Sequence, residues 1–352
     1  MKTKPEYIKL YEALREEIAG GSWAYGERLP SRRQLARDRG LSIVTVEHAL
    51  ELLCQEGYSE AKAKSGYYVA YQAEDGFSAA PPAPNFRPPH PAVPSENAFP
   101  FSVLARTMRR VLTEYGEAIL QKAPNAGCGE LRSALSRYLA RNRGIRAEAK
   151  QIVIGSGAEY LYGLVVEMLG SDRVYGIERP SDHKIEQVYR ARGVLCDLLP
   201  LAQDGIASAA LRDTAASVLH ITPYRSFPSG VTASASKRWE YIRWAAQGDR
   251  YIVEDDFESE FSLLRKPEET VFARADNVIY LNTFSRTVSP SLRVGYMVLP
   301  PRLLPLFEQR VGFYSCTVPA FEQYVLASLI ENGDFERHIN RIRRQRRKAE
   351  SP

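Results

Sequence analysis

Apolar positions in the first seventy residues fall at helical spacing and then change to alternation. Tyr7, Leu10, Tyr11, Leu14 and Ile18 recur every three or four residues, which predicts one amphipathic helix closed by Gly20-Gly21. Ser31-Arg-Arg-Gln34, directly after Pro30, predicts a capping box with Ser31 as N-cap and Gln34 reaching back. The short helix it opens runs over about Arg32 to Asp38 and buries Leu35 and Ala36. Arg39-Gly40-Leu41 is a tight turn, and Ser42 caps a second helix whose stripe is Val46, Ala49, Leu50 and Leu53, closed by Gly57. Tyr58–Ala61 and Tyr67–Ala70 then read as two short strands, with Lys62 to Gly66 at the hairpin tip. Helix, capped helix, turn, capped helix and basic hairpin is the order of a winged helix-turn-helix.

Beyond Ala73 the periodicity disappears. Pro81-Pro82-Ala83-Pro84, Pro88-Pro89, Pro91 and Pro94 crowd a stretch that reads as a semi-extended tether. After it, short apolar runs alternate with helical patterns. Ile152–Ile154, Val174–Ile177, Val218–Ile221, Tyr251–Val253, Val278–Leu281 and Gly295–Leu299 read as buried strands; Leu131–Leu139, Tyr160–Leu169 and Trp239–Ala246 read as helices. Such alternation predicts an α/β sheet with functional loops at strand ends. The expected organisation is a winged helix-turn-helix over residues 1–72, a linker over 73–98 and a larger α/β domain over 99–352.

Composition adds exclusions rather than an identity. No stretch approaches the eighteen uninterrupted apolar residues of a membrane span, and the first residues lack an apolar signal core, so a cytoplasmic protein without membrane association is expected. Cys54, Cys128, Cys196 and Cys316 stand far apart without a C-x-x-C pair, which fits packing thiols in a reducing compartment and predicts no metal site. The net charge of +5 does not mark the first domain: residues 1–70 hold eleven Lys/Arg against ten Asp/Glu, whereas Glu336–Lys348 holds seven basic residues and one acidic. Pattern, not pI, carries the nucleic-acid reading.

In that reading the first turn of the second capped helix enters the major groove of double-stranded DNA. Ser42, Ile43, Thr45 and His48, with Val44 and Glu47, form the base-facing set. Arg32, Arg33, Lys62 and Lys64 neutralise phosphates, with Ser65 and Gly66 shaping the wing.

The run Arg28-Leu-Pro-Ser-Arg-Arg-Gln-Leu-Ala36, Leu41-Ser-Ile-Val-Thr-Val46, Glu56-Gly-Tyr58 and Ser65-Gly-Tyr-Tyr-Val69 resembles the GntR-type DNA-binding domain. It departs at Ile43, where that family often has arginine, and at Glu47, near which a basic residue is common. Gly155-Ser-Gly-Ala158, Thr222–Gly230, Val253–Phe261 and Tyr280–Tyr296 follow in order, after Asn125–Leu131 and Arg143-Gly144. Together they resemble the fold-type-I aminotransferase domain of the MocR subfamily. The resemblance implies pyridoxal phosphate (PLP) as the family cofactor, a head-to-tail homodimer, and a small-molecule effector of amino-acid or pyridoxal-related type. It also implies a C-terminal small domain that this chain, ending at Pro352 within a basic helix, is expected to lack.

Carried over residue by residue, the family's imine-forming lysine falls on Arg286. A guanidinium stays protonated and is no imine nucleophile, so no covalently bound cofactor is expected and the α/β domain is not expected to be an enzyme; catalytic residues are none. The tyrosine beside the cofactor's phenolic oxygen becomes Phe257, and the ring-stacking aromatic becomes Asp182 or is displaced to His183. Asp255 remains available to a pyridinium nitrogen. Ser156, Gly157 and Ala158 can offer backbone N–H groups to a phosphate, and Thr283, Ser285 and Arg293 match its anchoring positions. Three functions follow: a regulator whose large domain senses an effector or dimerises without covalent PLP; a PLP aminotransferase fused to a DNA-binding domain; or a constitutive DNA-binding dimer with a vestigial pocket.

Overall fold

A computed structural model describes residues 4–72, 99–256, 259–262 and 269–350. The proline-rich linker over 73–98 and Phe257 lie outside the described residues. Contacts divide the chain into two units, Met1–Ala92 and Val93–Pro352.

In the first unit α1 (Glu6–Ala19), α2 (Arg32–Arg39) and α3 (Ile43–Gln55) precede a hairpin of β1 (Ser59–Lys62) and β2 (Gly66–Val69). Ser31 Oγ accepts from Gln34 N at 3.3 Å and Ser42 Oγ from Thr45 N at 3.1 Å, so both predicted N-caps form. The return half of the expected capping box does not: exposed Gln34 makes no side-chain bond among the described residues and stays with solvent. Gly40 closes α2 in the left-handed conformation at φ 64°, which lets the chain turn directly into α3. The apolar stripes of the three helices meet around Leu14, Leu35, Val46, Leu50 and Leu53, and Val69 of the wing joins them. The hairpin pairs Ser59 with Val69 and Lys62 with Gly66, one residue later than the sequence pattern indicates at the first strand and one earlier at the second. Lys62 and Gly66 thus belong to the ladder, and residues 63–65 form the tip, with Lys64 at φ 61°.

The second unit is an eight-stranded sheet covered on both faces. Its strands are β3 (Ile152–Gly155), β4 (Val174–Arg179), β5 (Leu195–Ala202), β6 (Gly205–Ile206), β7 (Val218–Ile221), β8 (Tyr251–Asp255), β9 (Val278–Thr283) and β10 (Gly295–Val298), in the order β3-β10-β9-β8-β7-β4-β5-β6. The five strands from β9 to β5 are parallel; β10 runs antiparallel to both β9 and β3, and β6 returns antiparallel to β5. Successive side chains serve opposite faces. Ile152, Ile154, Tyr280, Tyr296 and Val298 pack beneath α5 (Gly129–Asn142), α11 (Ala320–Glu331) and α12 (Asp334–Glu350), beside α4 (Phe101–Tyr115). Val153, Ile279, Leu281 and Met297 pack on the other face against α6 (Ala158–Leu169), α7 (His183–Ala191) and α10 (Leu304–Arg310). Beneath the far half of the sheet, α8 (Ser208–Asp213) and α9 (Ala235–Ala245) close a third cluster on Leu219, Ile252 and Val278. This topology brings the ends of β3, β8 and β9 and the start of β10 to one edge of the sheet, the place where open α/β sheets bind ligands.

Candidate functional sites

On the first unit, Ile43 and Val44 stand 47% and 61% exposed at the start of α3, apolar side chains presented to solvent rather than to the core. Thr45 is half-buried, and its Oγ1 lies 2.8 Å from Ser42 Oγ. His48 leans on α1, its ring edge-on to Tyr7 with centroids 5.8 Å apart. The cations are not equivalent. Arg32 forms an ion pair with Glu47 across the α2–α3 turn, and Lys62 is held by Glu60 at 2.9 Å and lies 4.6 Å over the Tyr68 ring. Two of the four predicted phosphate ligands are therefore internally neutralised. Arg33 and Lys64 are exposed and form no ion pair among the described residues. Ser65 Oγ lies 2.6 Å from Tyr68 Oη and braces the tip. Sequence reasoning missed Arg28, whose guanidinium approaches within 3.3 Å of where a Cβ on Gly66 would sit and so fixes the wing against the body of the head.

On the second unit, a cavity of about 280 Å³ opens at the carboxyl edge of the sheet. Five predicted residues line it, Ala158, Asp182, Asp255, Thr283 and Arg286, together with Tyr162, Ile185 and Phe227. Arg286 is exposed and is not without an interaction partner. Asp255, the last residue of β8, is only 4% exposed. Tyr162 donates to its Oδ2, and burial next to that carboxylate holds the Tyr162 hydroxyl protonated well above its ordinary range. His220 Nε2 stands 3.6 Å from the same oxygen and makes no hydrogen bond among the described residues; Tyr189 Oη lies 2.7 Å from His220 Nδ1. Neither Tyr162 nor His220 was singled out from the sequence, because both read as members of apolar runs.

The remaining cofactor positions are engaged with the protein itself. Ser156 N donates to Thr317 Oγ1 at 3.1 Å, and Gly157 N to Gly155 O at 2.9 Å. Gly157, at φ 91°, is the N-cap of α6, and the Arg293 guanidinium packs 3.4 Å from where its Cβ would be. Arg293 forms an ion pair with Glu159, which also accepts from Lys184 Nζ at 3.2 Å; these hydrogen bonds, that of Lys184 foremost, hold the Glu159 carboxyl below the usual range. Asp182 is the N-cap of α7, its carboxylate accepting from Lys184 N at 3.0 Å, so a helix start accounts for the acid where the resemblance implies an aromatic. His183 is exposed beside it. Ser285 is half-buried and does not line the cavity.

A second polar centre, also unforeseen, lies inside the body. Arg143 Nη2 and Asp256 Oδ2 are 2.7 Å apart and both fully buried. Tyr280 donates to Asp256 at 2.8 Å, Ser259 Oγ at 2.7 Å, and Asn282 donates to Glu260 at 2.7 Å. Burial and the Asp256 charge push the Glu260 carboxyl up to about 7. A larger cleft of about 720 Å³ opens at the opposite edge of the sheet beside Arg146, Arg274 and Arg302. Arg274 is held there by Glu269 at 2.6 Å and Arg302 by Tyr251 at 3.2 Å, and no predicted site residue reaches it. Among the described residues no helix is long and apolar enough to cross a membrane, and no group of three or more His, Cys, Asp or Glu could hold a metal.

Comparison with known proteins fits both units. Residues 6–69 match the bacterial regulatory proteins of the gntR family. The HTH-type transcriptional regulator YhdI of Bacillus subtilis (strain 168) is 32% identical over 364 residues, covering 98% of this chain and 76% of that protein. The probable rhizopine catabolism regulatory protein MocR of Rhizobium meliloti is 28% identical over 367 residues, covering 97% and 74%. The kynurenine aminotransferase of Pyrococcus horikoshii, solved with PMP, is 25% identical with a TM-score of 0.65, covering 72% of this chain and 65% of its own. The chain thus spans slightly less than two thirds of that structure's length.

A capped helix pair with a wing, joined in one polypeptide to an aminotransferase-type α/β sheet, defines a DNA-binding transcription regulator with an enzyme-like second domain. The chain belongs to the family of HTH-type transcriptional regulators with a GntR-type head, together with YhdI and the MocR-type proteins.

Proposed function

We propose that the second domain is an effector-binding and dimerisation module that performs no covalent PLP chemistry, and that it sets when or how firmly the head holds DNA. The observation that carries this reading is Arg286 in the wall of the cavity, where an imine-forming amine would have to stand. The residues around it do not fit covalently bound PLP: the nucleophile is absent, and Arg293 already pairs with Glu159 within the protein. Exposed Phe101 and Leu120, 80% and 83% accessible, support pairing of two copies through the body, since large apolar side chains at the surface mark association sites. Two heads on one dimer would engage two half-sites at high effective concentration. Within each head, Arg33 and Lys64 take phosphates, and Ile43, Val44 and Thr45 meet base edges.

The test is direct. Purified chain is incubated with PLP, reduced with borohydride and analysed by intact mass. On the parent, peptide mapping should find pyridoxyl groups on exposed surface lysines only, whereas Arg286→Lys adds a trappable amine at position 286. A stoichiometric adduct at the cavity of the parent would refute the reading and favour the enzyme alternative. Light scattering on the same sample tests the dimer.

A further inference from the structure

The cleft at the opposite edge of the sheet has an unmatched cation and an unmatched acceptor on its wall. It opens where the chain enters β9 and leaves β10, and its charged lining is Arg146, Arg274, Arg302 and Asp276. Arg274 pairs with Glu269 at 2.6 Å, and Arg302 Nη1 stands 3.9 Å from Asp276 Oδ1. Two cations are thus answered by two acids. Arg146 is exposed and forms no ion pair or hydrogen bond among the described residues. A guanidinium presents a planar fork of donors that matches a carboxylate or phosphate, so the excess positive charge of the cleft sits on a group shaped for an oxyanion.

Asn277 adds a second requirement. It is only 6% exposed, and its Nδ2 donates to Ala245 O at 2.8 Å and to Arg250 O at 2.9 Å. Those bonds fix the amide in place, while Oδ1 accepts no hydrogen bond among the described residues and is left to the cleft that the residue lines. A nearly buried acceptor gains from a ligand N–H or O–H. Gln151, the other amide of the lining, has both ends engaged, with Glu148 N and Leu299 O. Half-buried Ile242 and Phe272 and the rings of Pro300 and Pro301 give the cleft flat apolar walls. Its volume of about 720 Å³ is that of a site for a small organic molecule and is far more than a lone inorganic ion fills.

We propose that this cleft binds a small organic oxyanion, a carboxylate or phosphate ester on a flat apolar body that carries an N–H or O–H donor, with Arg146 as counter-charge and Asn277 as acceptor. It shares no lining residue with the cavity of Arg286, so the proposal stands apart from the effector reading above. Calorimetric titration of the full chain tests it with two anions, 3-aminobenzoate and adenosine 5′-monophosphate, against their uncharged counterparts 3-aminobenzamide and adenosine. At least one anion should bind tenfold or more tightly than its counterpart, and which one does so tells carboxylate from phosphate ester. Arg146→Gln should reduce that ratio more than threefold. Ala273→Trp, which fills the cleft from its wall, should weaken the anion more than tenfold. Removing the amino group, as benzoate or purine riboside 5′-monophosphate, should cost the preferred anion more than threefold, and equal binding would overturn the role of Asn277. Arg146 and Ala273 are both exposed, and thermal melting verifies that each variant folds. If Ala273→Trp does not, the Arg146→Gln comparison still decides. A preference below tenfold for both anions, an Arg146→Gln ratio within threefold of the parent's, or undiminished binding to folded Ala273→Trp overturns the proposal.

Discussion

Removing Glu47 should strengthen DNA binding, and the gain should depend on salt in a calculable way. Arg32 and Glu47 form an exposed ion pair across the α2–α3 turn, beside the helix start proposed to enter the groove. Glu47→Ala releases the guanidinium to a phosphate and removes a charge that repels the backbone. Each added phosphate contact steepens the dependence of log K on log salt by about 0.9, so a fourfold drop in salt should raise the variant's advantage by roughly 3.5-fold. Fluorescence anisotropy with a mixed-sequence duplex, at several salt concentrations between about 50 and 200 mM, measures both slopes. Breaking an exposed pair costs the head less than ~1 kcal/mol, so the fold should survive. In an Arg32→Ala background the same substitution should leave the slope unchanged. Equal slopes for parent and Glu47→Ala would show that Arg32 does not face DNA and would sink the docking geometry.

Other expectations concern stability. Arg143→Met strands Asp256 in the interior and should destabilise the body by about 3–5 kcal/mol in urea denaturation, with Arg143→Met/Asp256→Asn recovering much of the loss; a single variant as stable as the parent would show the pair to be unimportant. Glu260 binds its proton more tightly in the native state, about 7, than in the unfolded chain at 4.5. Its contribution is therefore fully present below the unfolded value and is lost as pH rises through about 7. Glu260→Gln should flatten the fall in stability across that window, and an unchanged profile would refute the assignment. Ser42→Ala removes the cap of α3 and should cost about 1 kcal/mol of head stability by thermal melting.

The head was legible because its signals are local. Ser31 and Ser42 cap the helices they precede, and Val46, Ala49, Leu50 and Leu53 are the four buried residues of α3. The hairpin was displaced by a residue because alternation alone does not say which residue of a basic tip takes a left-handed conformation; Lys64 does. In the body the parallel strands showed as apolar runs, being buried on both faces. Leu195–Ala202 did not, since it carries Asp197 and Pro200 and presents Leu195 to solvent. Asp255, Thr283 and Arg286, singled out from the motifs, line one cavity. What the motifs could not reveal is who neutralises whom. Arg293 and Glu159 are 134 residues apart, and the Arg143–Asp256 pair likewise exists only once the sheet has formed.

The sheet of the second unit ends on a four-residue strand, β3, at one side and on the two-residue β6 at the other. β6 pairs only with Leu201 and Ala202 of β5, so each stub by itself gives an incoming chain little ladder to extend. Pairing of copies through side-chain faces, as proposed above, would close after a fixed number of them. A regulator acting in a defined stoichiometry would gain from borders this short.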